Sequence, residues 1–537
     1  LYRSISAYAD AWHRASANEG PAVVVLVATD IEHLSSQLAE AETCVATNAR
    51  PTTVGLFFEP NPLYHSGRLA FVFPGSGNHY AGMTRQLSLR AAALLNRADD
   101  NNDHLLDQFG DGVFWQNDAL DENDHRRLIF GHVWAGIFVH DIFRLIGIHP
   151  DAIIGYSLGE TAGLFATGAW SDRDGMLRRI RSSDLFTAKL GAGREAVRET
   201  WNLGPDDRVD WQMGVLKRSR EAVEQAIASN VAEKRLYLLI VNAPSECVVG
   251  GDGRALQRLA DHLDCGIHMI RGVTTVHCDV ARPVADAYRK LHLFETSPQR
   301  GVVHYSCHLG RTYEVTRASA ADSILGMALE PFDYSALIQN AYDDGIRLFV
   351  EMGPGASCSR MIGHILKDQP HVARSACALN GDEYHTFLDT LAAIIAHGIE
   401  ADLSNWIQDI SVPDIQQPSG RVVTMAPRRE PPKALDLPKT ARPATLTSAP
   451  MSIAPLATTI GTAPQDTPAD ARWLKPIVTG IVDTLEARHK THEQFLQLQS
   501  SIEHSIHEAL TLQMDSRLGD GRSQALVAAP PAAPGRI

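Results

Sequence analysis

The sequence has no excess of positive charge, no long apolar run and no clustered cysteines. It contains 49 Lys and Arg against 63 Asp and Glu in 537 residues, a formal net charge of −14. Duplex nucleic acid is bound by clustered Lys and Arg, so this balance argues against nucleic acid as the main partner. No uninterrupted apolar stretch approaches 18 residues, and no basic-then-apolar segment opens the chain. The sequence therefore predicts neither a membrane span nor a signal peptide.

The seven cysteines are scattered, with no CxxC pair and no paired Cys/His spacing. A structural zinc site is therefore not indicated, and we expect neither a metal nor a bound redox cofactor. An odd number of cysteines at low density suits reduced thiols, so we expect a cytoplasmic protein. The chain begins at Leu1 rather than Met, in sequence typical of a domain interior, and we expect it to be part of a longer protein.

What is present is the composition of a globular protein, with 44% apolar and 21% charged residues. The pattern along the chain predicts several α/β segments. Residues 1–67 form a small α/β unit, and residues 68–210 form a larger one. Residues 211–275 follow the strand–helix–strand–strand–helix–strand order of a ferredoxin-like subdomain. Residues 276–408 return to the larger α/β unit.

The composition changes near residue 409. Residues 409–470 are rich in Pro, Ala and Thr, which predicts an extended linker. Residues 471–515 carry apolar side chains at three-to-four spacing, the mark of an amphipathic helix. Residues 516–537 are linker-like again, and we predict a disordered tail.

The segment GYSLGE at residues 155–160 carries the sharpest chemical signal. It follows an apolar strand predicted at residues 151–154 and precedes a helix predicted at residues 158–166, which is the context of a nucleophile elbow. Glycines on either side of Ser157 allow the strand to turn abruptly into the helix. The helix N-terminus favours negative charge that develops near the serine. We therefore predict Ser157 as a nucleophile.

A serine nucleophile needs a base. Among 23 histidines, His277 is distinguished by its position, directly after the last strand of the predicted ferredoxin-like unit. Its position alone leaves other histidines open as the base.

Four blocks of sequence together resemble the malonyl-CoA:ACP-type acyltransferases. FVFPGSGNHYAGM at residues 71–83 resembles their opening strand and loop, and IGYSLGE at residues 154–160 resembles their elbow. VNAPSECVVGGD at residues 241–252 and LFVEMGPG at residues 348–355 resemble two later segments. The blocks fall in the family's order over about residues 68–408. Residues 1–67 resemble the domain that joins a ketosynthase to such an acyltransferase.

The resemblance implies an α/β-hydrolase-like core with an inserted ferredoxin-like subdomain. It also implies a Ser157–His277 dyad in which a backbone carbonyl, rather than an acidic residue, holds the histidine. The oxyanion hole is expected from the backbone N–H groups of Ser76 and Leu158. Acyl-CoA and phosphopantetheine are the implied substrates, and an acyl carrier protein and a neighbouring ketosynthase are the implied partners.

Two departures from the family bear on the substrate. Where the family has an arginine that grips a substrate carboxylate, ungapped counting finds Ser182, with Arg181 just before it. Ile129 stands in the place of the family's glutamine ahead of the elbow. We therefore predict a pocket without a carboxylate clamp and an uncharged acyl group. Thr275 and Val276 stand where the family's selectivity residues lie, and they match neither common pattern.

The predicted function is transfer of an acyl group from a thioester, through acyl-Ser157, to a carrier-protein thiol. The loop at residues 74–83 and the helix near His492 most resemble polyunsaturated fatty acid synthases. Three alternatives stay open: a malonyl-CoA:ACP transacylase with Arg181 as the clamp, a serine hydrolase, and a non-catalytic docking module.

Overall fold

The computed structural model describes residues 24–109, 121–229, 234–379 and 382–403. The predicted linker at residues 409–470, the amphipathic helix at residues 471–515 and the tail at residues 516–537 lie outside the described residues.

Strands and helices alternate through most of the described chain. Strands β1 to β13 span, in chain order, Val25–Leu26, Leu56–Phe57, Arg68–Phe73, Ala152–Gly155, Trp211–Leu216, Leu236–Ala243, Glu246–Asp252, Ile267–Ile270, Val303–Ser306, Arg311–Tyr313, Phe332–Asp333, Ile346–Glu351 and Val372–Ser375. Helices α1 to α15 span Ile31–Thr47, Arg85–Arg90, Ala92–Asp100, Leu105–Phe109, His125–Leu145, Gly159–Ala166, Arg173–Arg181, Glu195–Thr200, Arg220–Ser229, Gly253–His262, Ala285–Leu291, Arg317–Leu329, Tyr334–Asp343, Ser357–Ile365 and Glu383–Ala396.

The larger sheet has six strands in the order β10-β9-β4-β3-β12-β13. All its pairs are parallel except β10 with β9. The central strand β3 reads RLAFVF and is buried from Leu69 to Phe73, as expected of a parallel strand covered on both faces. The elbow strand β4 lies beside it, with Ala70 opposite Ala152. The expected mixed α/β class is confirmed.

Helix α5 is the one helix in the described part of the chain that is long and apolar enough to cross a membrane, and most of it is buried inside the protein. It packs against α6, the helix that follows Ser157. Asp124 caps its first turn by accepting the N–H of Arg127, which satisfies one of the free donors of a helix N-terminus. Helix α5 is thus a core helix next to the elbow.

The smaller sheet has five strands in the order β11-β6-β7-β5-β8. Strands β5 to β8 pair antiparallel and run through the chain as β5-α9-β6-β7-α10-β8. Helix α10 turns Ala255, Leu256, Leu259 and Ala260 inward, and these residues belong to a core cluster separate from the larger one. Strand β11 joins β6 in parallel from later in the chain.

Candidate active site

Ser157 lies on the turn between β4 and α6. Its backbone φ of 54° is in the left-handed region, which a non-glycine residue adopts at a cost in free energy. A Cβ at Gly155 would overlap the backbone of Glu160, and one at Gly159 would overlap the carbonyl of Phe73. Both glycines are therefore required for the close approach of α6 to the sheet. This geometry is that of the nucleophile elbow the sequence predicts.

The Oγ atom of Ser157 lies 2.9 Å from Nε2 of His277. On the other side of the ring, Nδ1 of His277 lies 2.7 Å from the carbonyl oxygen of Met327. A carbonyl oxygen only accepts, so the proton is on Nδ1 and Nε2 can accept from the serine hydroxyl. The backbone N–H of His277 donates to the carbonyl of Ala328 at 2.7 Å. The structure therefore brings the two predicted residues into direct contact.

Met327 and Ala328 are in the last turn of α12. The carbonyls at a helix C-terminus carry partial negative charge, which stabilises a cation beside them. No side-chain carboxylate within the described residues bonds the ring of His277. The helix end thus takes the orienting position that an acidic residue holds in a Ser-His-Asp triad.

His277 is almost fully buried, and Phe332 packs edge-on against its ring at 5.1 Å between centroids. Burial lowers the pKa of His277 to about 4, against the opposing effect of its hydrogen bond to Met327. A desolvated imidazole loses the stabilisation that water gives its charged form. His277 is therefore neutral at neutral pH and free to accept a proton.

The loop at residues 74–76 follows β3 and lies against the elbow. His132 on α5 bonds the carbonyl of Pro74 through Nε2 at 2.8 Å, and the Asn78 amide donates to the carbonyl of Gly75 at 2.8 Å. Within the described part of the chain, the backbone N–H groups of Ser76 and Leu158 have no hydrogen-bond acceptor. Both residues line the cavity that contains Ser157. They are therefore available as oxyanion donors.

This cavity has a volume of about 70 Å³, room for about five water-sized spheres. Most of its walls are apolar, including Ile129, Val133, Trp134, Ile137, Phe165, Met176, Ile180 and Val276. Among the described residues, the polar ones that line it include Ser76, Gln108, Ser157, Arg173 and His277. The space suits a short acyl group.

The structure corrects three predicted substrate-binding residues, which do not line this cavity. Arg181 is half-exposed, and its guanidinium pairs with Asp107 at 3.1 Å. The hydroxyl of Ser182 is exposed and donates to the carbonyl of Arg179. Thr275 is buried, and its hydroxyl donates to the carbonyl of Leu190. Ile129 and Val276, by contrast, do line the cavity.

The prediction that the cavity has no cation is also wrong, because Arg173 lines it. Arg173 is the first residue of α7, one face of which is formed by Met176 and Ile180. Residues three and seven positions apart share one face of a helix. That spacing was the available signal, since it puts Arg173 on the apolar face rather than among the exposed arginines of α7.

No group of three or more His, Cys, Asp or Glu that could hold a metal ion occurs in the described ranges. The fold and the Ser–His contact are those of α/β enzymes with a serine at a strand–helix turn. Residues 70–400 match the acyl transferase domain family. This chain belongs to that family, as the sequence resemblance implied, and it is an acyltransferase.

Relatives of the chain include parts of larger synthases and free-standing enzymes. It is 23% identical to a polyunsaturated fatty acid synthase protein of Thraustochytrium over 64% of this chain but only 18% of that protein. It is also 23% identical to the malonyl CoA-acyl carrier protein transacylase of Bacillus subtilis, over 55% of this chain and 89% of the relative. The chain therefore spans less than a fifth of the first relative.

The fold is similar to that of a solved acyltransferase domain, from the second module of the salinomycin polyketide synthase. The TM-score is 0.56 at 21% identity, and the match covers 75% of this chain and 91% of that domain.

Proposed function

We propose that this chain transfers an acyl group from a thioester, through an ester on Ser157, to the phosphopantetheine thiol of an acyl carrier protein. The observation that carries the proposal is the 2.9 Å contact between Ser157 Oγ and a neutral, buried His277 at a strand–helix turn.

In the first half-reaction, Ser157 Oγ attacks the thioester carbonyl carbon while His277 Nε2 accepts the hydroxyl proton. The C–S bond then breaks, and the departing thiolate takes that proton from His277 and leaves as a thiol. In the second half, the carrier thiol gives its proton to His277 and attacks the acyl-serine. The C–O bond breaks, and the proton returns to Ser157.

The negative oxygen of each tetrahedral intermediate would be held by the N–H groups of Ser76 and Leu158. Backbone donors need no particular side chain, so serine in place of the family's glutamine at position 76 is compatible with catalysis. The carbonyls of Met327 and Ala328 would stabilise the imidazolium form of His277 between the two proton transfers.

The apolar cavity favours transfer over hydrolysis because water is poorly held beside the ester. A serine hydrolase remains the second candidate function, and a non-catalytic docking module the third. Arg181 is not proposed as a carboxylate clamp, because Asp107 binds its guanidinium at the surface.

The same proposal extends to the domain limits. Residues 1–67 are a ketosynthase-to-acyltransferase linker domain, residues 68–210 and 276–408 form the α/β-hydrolase-like core, and residues 211–275 are a ferredoxin-like insertion. The antiparallel order β6-β7-β5-β8 supports the last assignment. The limits at 409–470, 471–515 and 516–537, the cytoplasmic location and the ketosynthase neighbour are proposed on composition and resemblance alone.

Transfer to a thiol tests the proposal. Acyl-CoA thioesters would be incubated with the protein and either a phosphopantetheinylated carrier protein or free pantetheine, and the acyl-thiol product followed by mass spectrometry. We expect acyl-thiol formation that Ser157→Ala abolishes. Release of free acid without acyl-thiol would favour the hydrolase, and no turnover with any thioester would favour the docking module.

A further inference from the structure

Arg173 is a largely buried cation whose partners are few. Its Nε donates to Asn102 Oδ1 at 3.1 Å, and its guanidinium carbon lies 5.0 Å from the ring centre of Trp134. Its Nη1 is buried, and no described residue accepts from it. Burial lowers the pKa of Arg173 to about 10, against the opposing charges of Asp141 and Asp174.

Neither of those carboxylates forms an ion pair with Arg173 in the described structure. Asp174 accepts the side-chain amide of Gln108 and the backbone N–H of Asp103, each at 2.7 Å. Asp141 lies near His140 and Arg144 instead. Both acids are therefore engaged elsewhere.

The other arginines of α7 are all supplied with oxygen partners. Arg178 lies near Asp172, Arg179 donates to the backbone carbonyls of residues 290, 291 and 293, and Arg181 pairs with Asp107. A buried guanidinium without a carboxylate is expensive in free energy unless a ligand supplies one. Arg173 is thus the exception on its helix.

The position of Arg173 in the cavity indicates which part of a ligand would meet it. Ser157 is at one end, just before α6, and Phe165 is near the other end of that helix, about 9 Å along its axis from Gly159. Phe165, Ile137 and Arg173 also line a second recess that Ser157 does not reach. Arg173 therefore forms the wall of the cavity distal to the nucleophile.

We propose that Arg173 binds a free carboxylate at the distal end of the acyl chain, so that the site selects dicarboxylic acyl groups over monocarboxylic ones. This inference rests on the proposed function of Ser157. A guanidinium presents a planar fork of donors that a carboxylate can accept. The apolar walls between Ser157 and Arg173 would contact the methylene groups between the two carboxyl ends.

A neutral acyl group would fill the cavity but leave the cation desolvated and unpaired. Discrimination therefore arises from the unpaired guanidinium as much as from the new contact. The charge-assisted hydrogen bond is expected to favour the dicarboxylic thioester by about tenfold or more in acylation rate.

The test measures the acylation rate of Ser157 by intact-protein mass spectrometry. Malonyl-, succinyl- and glutaryl-CoA are each compared with the monocarboxylic thioester of equal carbon number, propionyl-, butyryl- and valeryl-CoA. We expect the wild-type protein to prefer at least one dicarboxylic thioester by about tenfold. A wild-type protein with no such preference overturns the inference without any variant.

Arg173→Gln should then reduce that preference to about one, through a slower reaction with the dicarboxylic thioester and an unchanged or faster one with its neutral counterpart. Arg178→Gln, on the exposed face of the same helix, is the matched control and should keep the wild-type ratio. A preference that survives Arg173→Gln overturns the inference. If no thioester acylates the wild-type protein, the proposed function itself fails, so the two failures are distinguishable.

Discussion

The turn around Ser157 and the helix Arg173–Arg181 line the same cavity but are held in different ways. The turn is fixed by main chain against main chain, with Gly155 and Gly159 in contact with the backbone of Glu160 and Phe73. The helix is fixed by side chains, with Met176 and Ile180 inward and Arg181 tied to Asp107. The turn therefore tolerates almost no change, whereas the helix can change its side chains and keep its fold.

This difference separates the two tasks of the site. Chemistry depends on the main-chain region, where the positions of Ser157, His277 and two N–H donors follow from the path of the backbone. Selection of the acyl group depends on the side-chain region, where one residue such as Arg173 can alter the ligand. Substitutions in the first region should abolish reaction or folding, and substitutions in the second should alter selectivity.

The largest effect that would sharpen this comparison is expected at the base. His277→Ala should lower the acylation rate by ~10²-fold or more, because the serine loses its proton acceptor. Circular dichroism should show an intact fold. His268, exposed on β8, is the matched control, and His268→Ala should react at the wild-type rate. A His277→Ala protein that reacts normally would mean that another histidine is the base.

The main-chain region should also resist the smallest added side chain. Gly159→Ala is expected to destabilise the protein by about 1–3 kcal/mol or more, because the added Cβ overlaps the carbonyl of Phe73. Gly363→Ala, in helix α14 with open space around it, should instead be neutral or stabilising by up to about 1 kcal/mol. Urea unfolding measures both. Equal effects of the two changes would show that the turn is less tightly packed than described.

The pH dependence of acylation tests the burial of His277. The reactive form is neutral, and with its pKa lowered to about 4 it stays neutral down to about pH 5. The rate should therefore fall only as the pH drops toward 4. A histidine with the ordinary pKa of about 6.5 would already lose about tenfold at pH 5.5. Rates at pH 5.5 and 7.5, on thioesters stable at both, distinguish the two, and a tenfold loss would contradict the buried, neutral base.

The smallest effects are expected at two positions of α7 that point away from the cavity. Arg181→Gln and Ser182→Arg should each leave the ratio of malonyl to acetyl loading within about twofold of wild type, because neither residue lines the cavity. The ratio is measured by competition between malonyl- and acetyl-CoA. Loss of selectivity in Arg181→Gln would identify Arg181 as the clamp after all and would contradict the described helix orientation.

The sequence was sufficient for the parts of the fold that the backbone dictates. A continuous apolar β3, the glycines of the elbow and the β-α-β-β-α-β order are all legible without coordinates, because period and turn chemistry act locally. His277 could be singled out only with the resemblance, since its contact with Ser157 spans 120 positions of sequence. Its orientation by the end of α12 depends on tertiary packing and has no local signal.

The wall of the cavity was harder to predict, for a physical reason. Ungapped counting to Arg181 and Ser182 assumes a fixed helix register, but neighbouring helix residues point about 100° apart. A count that is correct in sequence can therefore select the wrong face. The apolar face marked by Met176 and Ile180 was the better guide, and it leads to Arg173.

The central claim is that Ser157 carries the acyl group on its way between two thiols. The most direct measurement is peptide mapping by mass spectrometry after a brief incubation with acyl-CoA, followed by addition of pantetheine. The account predicts one added acyl mass per chain, located on the peptide that contains Ser157 and removed by pantetheine with formation of acyl-pantetheine. An acyl mass on another peptide, or one that pantetheine does not remove, would contradict it.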